Sequence, residues 1–158
     1  NKFGWGNAAD PGVYLDENNR RMLSNFRRIF GSLGNALLSS GDTLRAVEAV
    51  KRGLEIVPAS KMPNDYFSVT LAEVLLKAGR KEEAEKVIDD ILNYSREYLE
   101  YSVNLKPELR FGMDYATGIN MQSYLDLYNM AVKRKLDALL EKIEPEVSSF
   151  YNLLYSNH

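Results

Sequence analysis

The feature that most constrains this chain is an internal repeat with a period of 38 residues. Leu33, Gly34, Leu37, Gly41, Ala46, Val50 and Leu54 recur as Leu71, Ala72, Leu75, Gly79, Ala84, Ile88 and Leu92. Each copy has the marks of two helices joined by a tight turn. A small residue on the first helix admits close approach of the second, a glycine stops the first helix, and an alanine packs into the crossing. One such pair cannot bury its own apolar face, so copies of it must stack. The repeat therefore selects an all-α chain before any other property is considered.

The apolar spacing supports this along the whole sequence. Asp16 is placed to cap a long first helix, in which Met22, Phe26, Ile29, Phe30, Leu33 and Leu37 recur at three- and four-residue steps. Gly41 stops it, and Asp42 or Thr43 caps a second helix with Leu44, Val47, Val50 and Leu54 on one face, ending at Pro58. A turn-rich stretch, 58–64, leads to a third helix carrying Phe67, Leu71, Val74 and Leu75, stopped by Gly79. A fourth starts near Lys81, shows Ala84, Val87, Ile88, Ile91 and Leu92, and runs to about Tyr101. Residues 104–113, with Pro107 and Gly112, read as a loop. A fifth helix is expected over 115–143, and Pro145 either kinks it or opens a short sixth ending near Tyr155. No stretch alternates with period two between hairpin turns.

The spacing of Phe30, Leu33, Gly34, Leu37, Gly41, Ala46, Val50, Leu54 and Pro58 resembles the tetratricopeptide repeat. That resemblance implies a right-handed stack of helical hairpins, here of five to six helices. The family's usual period is about 34 residues, so about four extra residues fall near 58–64. Ser68 stands where the second copy would want a large aromatic, and Arg96 where a proline would end it. The expected organisation is one domain over 1–158. It has an irregular entry segment at 1–16, repeats at 17–58 and 65–101, and capping helices at 115–156.

Composition removes whole classes of function. Twenty Lys and Arg against 22 Asp and Glu leave a net charge of −2, without the basic excess a nucleic-acid binder needs. The absence of Cys excludes disulfides, thiolate metal sites and cysteine nucleophiles. The single His is the last residue, His158, so no buried imidazole serves as base or ligand, and the serine pairs Ser39-Ser40 and Ser148-Ser149 have no activator. Carboxylate pairs such as Glu82-Glu83 and Asp89-Asp90 lack calcium-loop spacing, and no phosphate-binding glycine loop or nucleophile elbow occurs. No cofactor, no metal and no catalytic residue are expected. No apolar run is long enough to span a membrane, which takes about 20 residues, and no signal peptide is present. The chain begins at Asn1 rather than Met and reads as an excised or processed, soluble piece.

Candidate binding residues follow from the stacking. The first helix of each hairpin lines the concave face, which places Arg28, Asn35, Tyr66, Glu73 and Lys77 along a groove suited to a peptide. The chaperone-tail clamp of some tetratricopeptide proteins uses Lys and Asn there to hold a terminal carboxylate, but Gly31 stands where one clamp Lys would be. Asp16, Glu17, Arg20 and Arg21 form the densest charged motif. They are a recognition site for a sugar or an anion, or more simply a helix cap with Asp16–Arg20 and Glu17–Arg21 ion pairs worth about 0.2–0.5 kcal/mol each. Arg20, Arg21, Arg27 and Arg28 repeat at seven residues and read as a solvated face or an anion-facing stripe. The first 58 residues sum to only +2, eight bases against six acids. Eight of the ten Tyr follow residue 93; Tyr94, Tyr98 and Tyr101 share a helical face, as do Tyr124 and Tyr128. Those faces pack between helices or stack on a glycan. Phe3 and Trp5, flanked by glycines, anchor the entry segment or meet a larger protein.

A more specific resemblance lies in Phe3-Gly4-Trp5-Gly6-Asn7 and in the run Val13 to Met22, with Pro63-Asn64-Asp65-Tyr66-Phe67 and Leu76-Lys77-Ala78-Gly79. These segments resemble the C-terminal soluble region of a bacterial multi-span membrane-protein family similar to protein O-mannosyltransferases, over about residues 1–101. The resemblance implies a tail without the catalytic membrane part, on the periplasmic side of the inner membrane. The function expected is non-catalytic: a protein-interaction domain presenting its groove to an acceptor protein or to its own membrane domain. The alternative is a glycan- or small-ligand-binding module using the Tyr-rich second half. A pocket closed by Tyr and Arg favours the second, an open groove the first.

Overall fold

Local capping chemistry sets where the helices begin and end. The computed structural model describes residues 5–109 and 112–155, apart from the side chains of Pro107 and Tyr155. Phe3 and His158 lie outside the described residues. Helix α1 spans Glu17–Ser39, and the Asp16 carboxylate accepts the Asn19 amide at 2.7 Å, satisfying a first-turn donor. Gly41 ends it at φ +83°, a left-handed conformation that lets the Asp42 amide fold back to the Leu37 carbonyl at 2.9 Å. Asp42 then caps α2, Thr43–Ile56, through the Arg45 amide. Helix α3, Val69–Lys77, follows a 3-10 turn over Tyr66–Ser68. It ends as α1 does, with Gly79 at φ +74° and the Arg80 amide 2.8 Å from the Leu75 carbonyl. The period seen in sequence is thus a period in hydrogen bonding. Helix α4, Lys81–Asn104, runs three residues beyond its expected end.

The remaining helices differ from the expected single long element. Helix α5, Asp114–Arg134, stops at Lys135, which adopts φ +55° while the Leu136 amide reaches the Ala131 carbonyl at 3.0 Å. This is the same left-handed closure, made by a lysine, so no glycine advertises it. Helix α6 spans Asp137–Tyr155 and runs through Pro145. Proline removes the donor that would meet the Glu141 carbonyl, and both residues are exposed, so the missing bond falls on the solvent side of the helix. Pro145 therefore neither opens a helix nor ends one. All described regular structure is helical: an all-α, tetratricopeptide-like set of hairpins.

The chain divides into two compact units, Asn1–Asp90 and Ile91–His158, with the boundary inside α4. In the first, α1 lies against both α2 and α3. Ala46, Val50, Leu71, Ala72, Val74 and Ala84 are fully buried there. Close approach depends on glycine: a Cβ on Gly31 would lie 2.9 Å from Thr70 Cβ, and one on Gly34 would lie 3.0 Å from Val74 Cγ1 and 3.2 Å from Val50 Cγ2. The entry segment packs Ala8 and Leu15 with Leu23, Ile56, Val57 and Met62, and sets Trp5 edge-on to Phe26 at 4.9 Å. Lys61 fastens it by donating to the Pro11 and Val13 carbonyls. In the second unit Leu99, Tyr124, Leu127, Ala131 and Ile143 form the core, with Phe150 tilted on Tyr124 at 5.7 Å.

Four expected core positions are not core. Met22 and Ile29 are 53% exposed, Leu33 is 46% exposed, and Leu44 on α2 is 85% exposed. Met22, Ile29 and Leu33 share one face of α1, which the described residues leave partly uncovered.

Candidate docking groove

The residues expected to line a groove stand on α1, on the 3-10 turn before α3 and on α3, and α1 and α3 lie side by side. Asn35 and Glu73 occupy equivalent positions 38 residues apart, as do Arg28 and Tyr66. Lys77 Nζ donates to Asn35 Oδ1 at 2.8 Å and pairs with Glu73 Oε1 at 2.9 Å. These three residues, from two hairpins, form one exposed polar cluster. Its charge is balanced in place, and Lys77 is already engaged twice. A terminal-carboxylate clamp would need that ammonium, so the arrangement suits a neutral, hydrogen-bonding segment better than an anion. Tyr66 is half-buried and set edge-on to Phe67 at 5.6 Å, while Arg28 is exposed on α1. Neither is drawn into the cluster.

The buried Arg27 is the largest departure from the expected solvated arginine stripe. It is 1% exposed, and its guanidinium donates to the carbonyls of Pro63 at 2.6 Å, Val57 at 2.9 Å and Met62 at 2.7 Å. It grips the segment that holds the extra residues between the repeats. Burial pushes its pKa down, against the opposing pull of Asp65 and Asp90. Burial pushes the Asp65 carboxyl up, while Arg27 and the donors Ser24 and Phe67 act the other way. Ser68, where an aromatic was expected, is fully buried and donates to Asn64 Oδ1, whose amide nitrogen donates to Asp90 at 3.0 Å. A polar network thus fills the place of the ring. The residue that signals it is Ser68 itself, a buried-position serine followed upstream by Asn64 and Asp65.

The charged motif at the start of α1 takes the capping form without its ion pairs. Asp16 is used as a cap, Arg20 Nε donates to the Leu15 carbonyl at 3.2 Å, and Arg21 donates to Asn18 Oδ1 at 3.3 Å. Neither arginine forms an ion pair with Asp16 or Glu17. Trp5 is half-buried and serves as the anchor of the entry segment.

In the second unit the tyrosines divide. Tyr124 is fully buried and donates to Glu146 Oε2 at 2.7 Å, and the same carboxylate takes two bonds from Arg96 at 3.0 Å. Arg96, standing where a proline would end the repeat, instead joins α4 to α6. Burial first, then the Glu146 carboxylate, pushes the Tyr124 hydroxyl far above its ordinary value. For Arg96 burial lowers the pKa, but the Glu146 bond and the charges of Tyr124, Glu146 and Glu100 together more than offset it, so the pKa is raised. Tyr98 is half-buried, its hydroxyl pushed up by burial and then by neighbouring Tyr94. Tyr94 and Tyr101 keep exposed edges. Among the described residues no group of three or more His, Asp or Glu side chains is placed to hold a metal. No helix among them is long and apolar enough to cross a membrane.

The fold defines a helical-repeat protein of the hairpin-stacking class. Residues 37–104 match the family model described as tetratricopeptide repeat. The match covers α2, α3 and α4 and the end of α1, including both glycine turns. No curated protein and no solved structure matches the chain. Tetratricopeptide repeats as a class mediate protein–protein interaction.

Proposed function

We propose that this chain is a non-catalytic docking module. Its groove, with Arg28, Asn35, Tyr66, Glu73 and Lys77, receives an extended segment of an acceptor protein or of the membrane domain of the same polypeptide. The observation that carries the reading is the Asn35–Lys77–Glu73 cluster: hydrogen-bonding side chains from successive hairpins share one exposed surface. Such a row offers an extended peptide both donors and acceptors, with side-chain specificity from flanking Tyr66 and Arg28. The sequence resemblance supports the wider assignment, a soluble tail of a glycosyltransferase-like membrane protein on the periplasmic side.

Photo-crosslinking tests it. A benzophenone amino acid replaces Asn35 or Tyr66 in turn, with Glu97 on α4 as control, and crosslinked partners are identified by mass spectrometry in the host. One protein captured from both groove positions and not from the control supports the groove. Capture from the control alone, or of a different protein at each position, overturns it.

A further inference from the structure

Leu33 and Leu71 are equivalent in the repeat, yet Leu33 is 46% exposed and Leu71 is fully buried. The same contrast runs along the helices. Ser32 and Ala36 are exposed where Thr70 and Val74 lie against Gly31 and Gly34 of the preceding hairpin. Ile29, 53% exposed, matches Phe67, which is half-buried. So α3 shows what covers this face in the repeat: the helices of another hairpin. On α1 the entry segment covers only the first part, with Trp5 against Phe26 and Phe30. Beside the entry segment and beyond it, Met22, Ile29 and Leu33 form an open apolar strip about 16 Å long, at 1.5 Å per residue. A cavity lined by Trp5, Tyr14, Met22 and Phe26 opens at one end, and one lined by Phe30, Leu33, Leu37 and Ala49 at the other.

We propose that this strip seats an amphipathic helix of a partner protein, stacked as a preceding hairpin would be, with acidic residues along one flank. The acidic flank follows from charge. Arg21 and Arg28 border the strip on one side and form no ion pair with a carboxylate among the described residues, whereas Arg45 and Arg52 on the other border are paired with Asp42 and Glu55. The strip is distinct from the Asn35–Lys77–Glu73 cluster, because Asn35 follows Leu33 by two residues, about 200° round the helix, and Arg28 stands between the two surfaces.

Trp5 is the only tryptophan and lines the cavity at the end of the strip, so it reports directly. The probes are stapled helical peptides of about 18 residues. One carries a Leu/Ala stripe with Glu on one flank, a second has Lys on that flank, and a third has the stripe scrambled. The expected result is a Trp5 fluorescence change with the Glu-flanked peptide. Its affinity falls about tenfold with Lys flanks and at least tenfold in the double variant Ile29→Glu/Leu33→Glu, but is unchanged in Tyr66→Ala. Both altered positions are already exposed, and circular dichroism checks that the variant folds. Amide shift mapping of the unaltered chain supplies an independent readout. Equal binding of the scrambled peptide, or shifts centred on Asn35 and Lys77, overturns the proposal. So does reversible self-association of the chain that the double variant abolishes, since a second copy would then be the occupant.

Discussion

The Arg27 guanidinium donates to the carbonyls of Val57, Met62 and Pro63, which belong to the segment that lengthens the repeat to 38 residues. One buried cation thereby satisfies three carbonyl oxygens that no helix or turn partner reaches. Removing it leaves those oxygens and Asp65 without their donor and counter-charge. Arg27→Leu is expected to destabilise by about 3–5 kcal/mol, the usual cost of breaking a buried charge network from one side. Arg27→Lys recovers little, since an ammonium lacks the planar fork that spans three oxygens. Urea unfolding followed by circular dichroism measures both; a loss below about 1 kcal/mol for the leucine variant would show that the grip is dispensable.

Glycine packing gives an opposed pair of outcomes. Gly31 has no room for a Cβ, which would fall 2.9 Å from both Cβ and Cγ2 of Thr70. Gly118, inside α5, has nothing within 4 Å of the same position. Alanine gains about 1 kcal/mol of helix propensity at either site. At Gly118 that gain is kept, and Gly118→Ala raises stability by about 0.5–1 kcal/mol. At Gly31 overpacking costs about 1–3 kcal/mol, so Gly31→Ala lowers it. Thermal melts of the two variants side by side check the signs, and two changes of the same sign would contradict the close α1–α3 contact.

Much of this architecture is legible in the sequence because its signals are local. Asp16 and Asp42 cap where a cap is wanted, and Gly41 and Gly79 mark turns that require a left-handed residue. Lys135 makes the same turn without a glycine, so the α5–α6 break carries no local mark and the two helices read as one. Arg27 is hidden for a different reason. In sequence it reads as one of four arginines at a seven-residue interval, and only the fold brings the carbonyls of Val57, Met62 and Pro63 to it. Met22, Ile29 and Leu33 read as core because periodicity records which face is apolar, not whether anything covers it. The groove residues Asn35, Glu73 and Lys77 were placed by repeat register, which is why they converge, while Arg28 and Tyr66 share the register without sharing a contact.

The Tyr124 hydroxyl makes stability fall at alkaline pH. Its pKa stands above the ordinary 10.0 because burial, and then Glu146, disfavour the phenolate. Above about pH 10 the unfolded chain releases this proton and the folded chain keeps it. The contribution is fully present below pH 10 and is lost progressively as pH rises past it. Tyr124→Phe removes that slope and costs about 1 kcal/mol at neutral pH through the lost bond to Glu146. Denaturant midpoints between pH 8 and 11 measure the difference. An unchanged slope in the phenylalanine variant would assign the alkaline loss to other groups.

Lys77 separates docking from stability. Its bonds to Asn35 and Glu73 are solvent-exposed, and surface pairs of this kind contribute about 0–1 kcal/mol. Lys77→Ala and Asn35→Ala are therefore expected to unfold within about 0.5 kcal/mol of the unaltered chain. If the groove receives an extended segment, the same changes weaken its capture several-fold, because each removes a hydrogen-bonding group from the shared surface without disturbing the helices beneath. Crosslinking yield from a benzophenone at Tyr66, compared between the unaltered chain and Lys77→Ala, checks the binding arm, and urea unfolding checks the other. A variant that unfolds normally and crosslinks at full yield would place the docking surface elsewhere on the first hairpin, with the Met22–Ile29–Leu33 strip the next face to block.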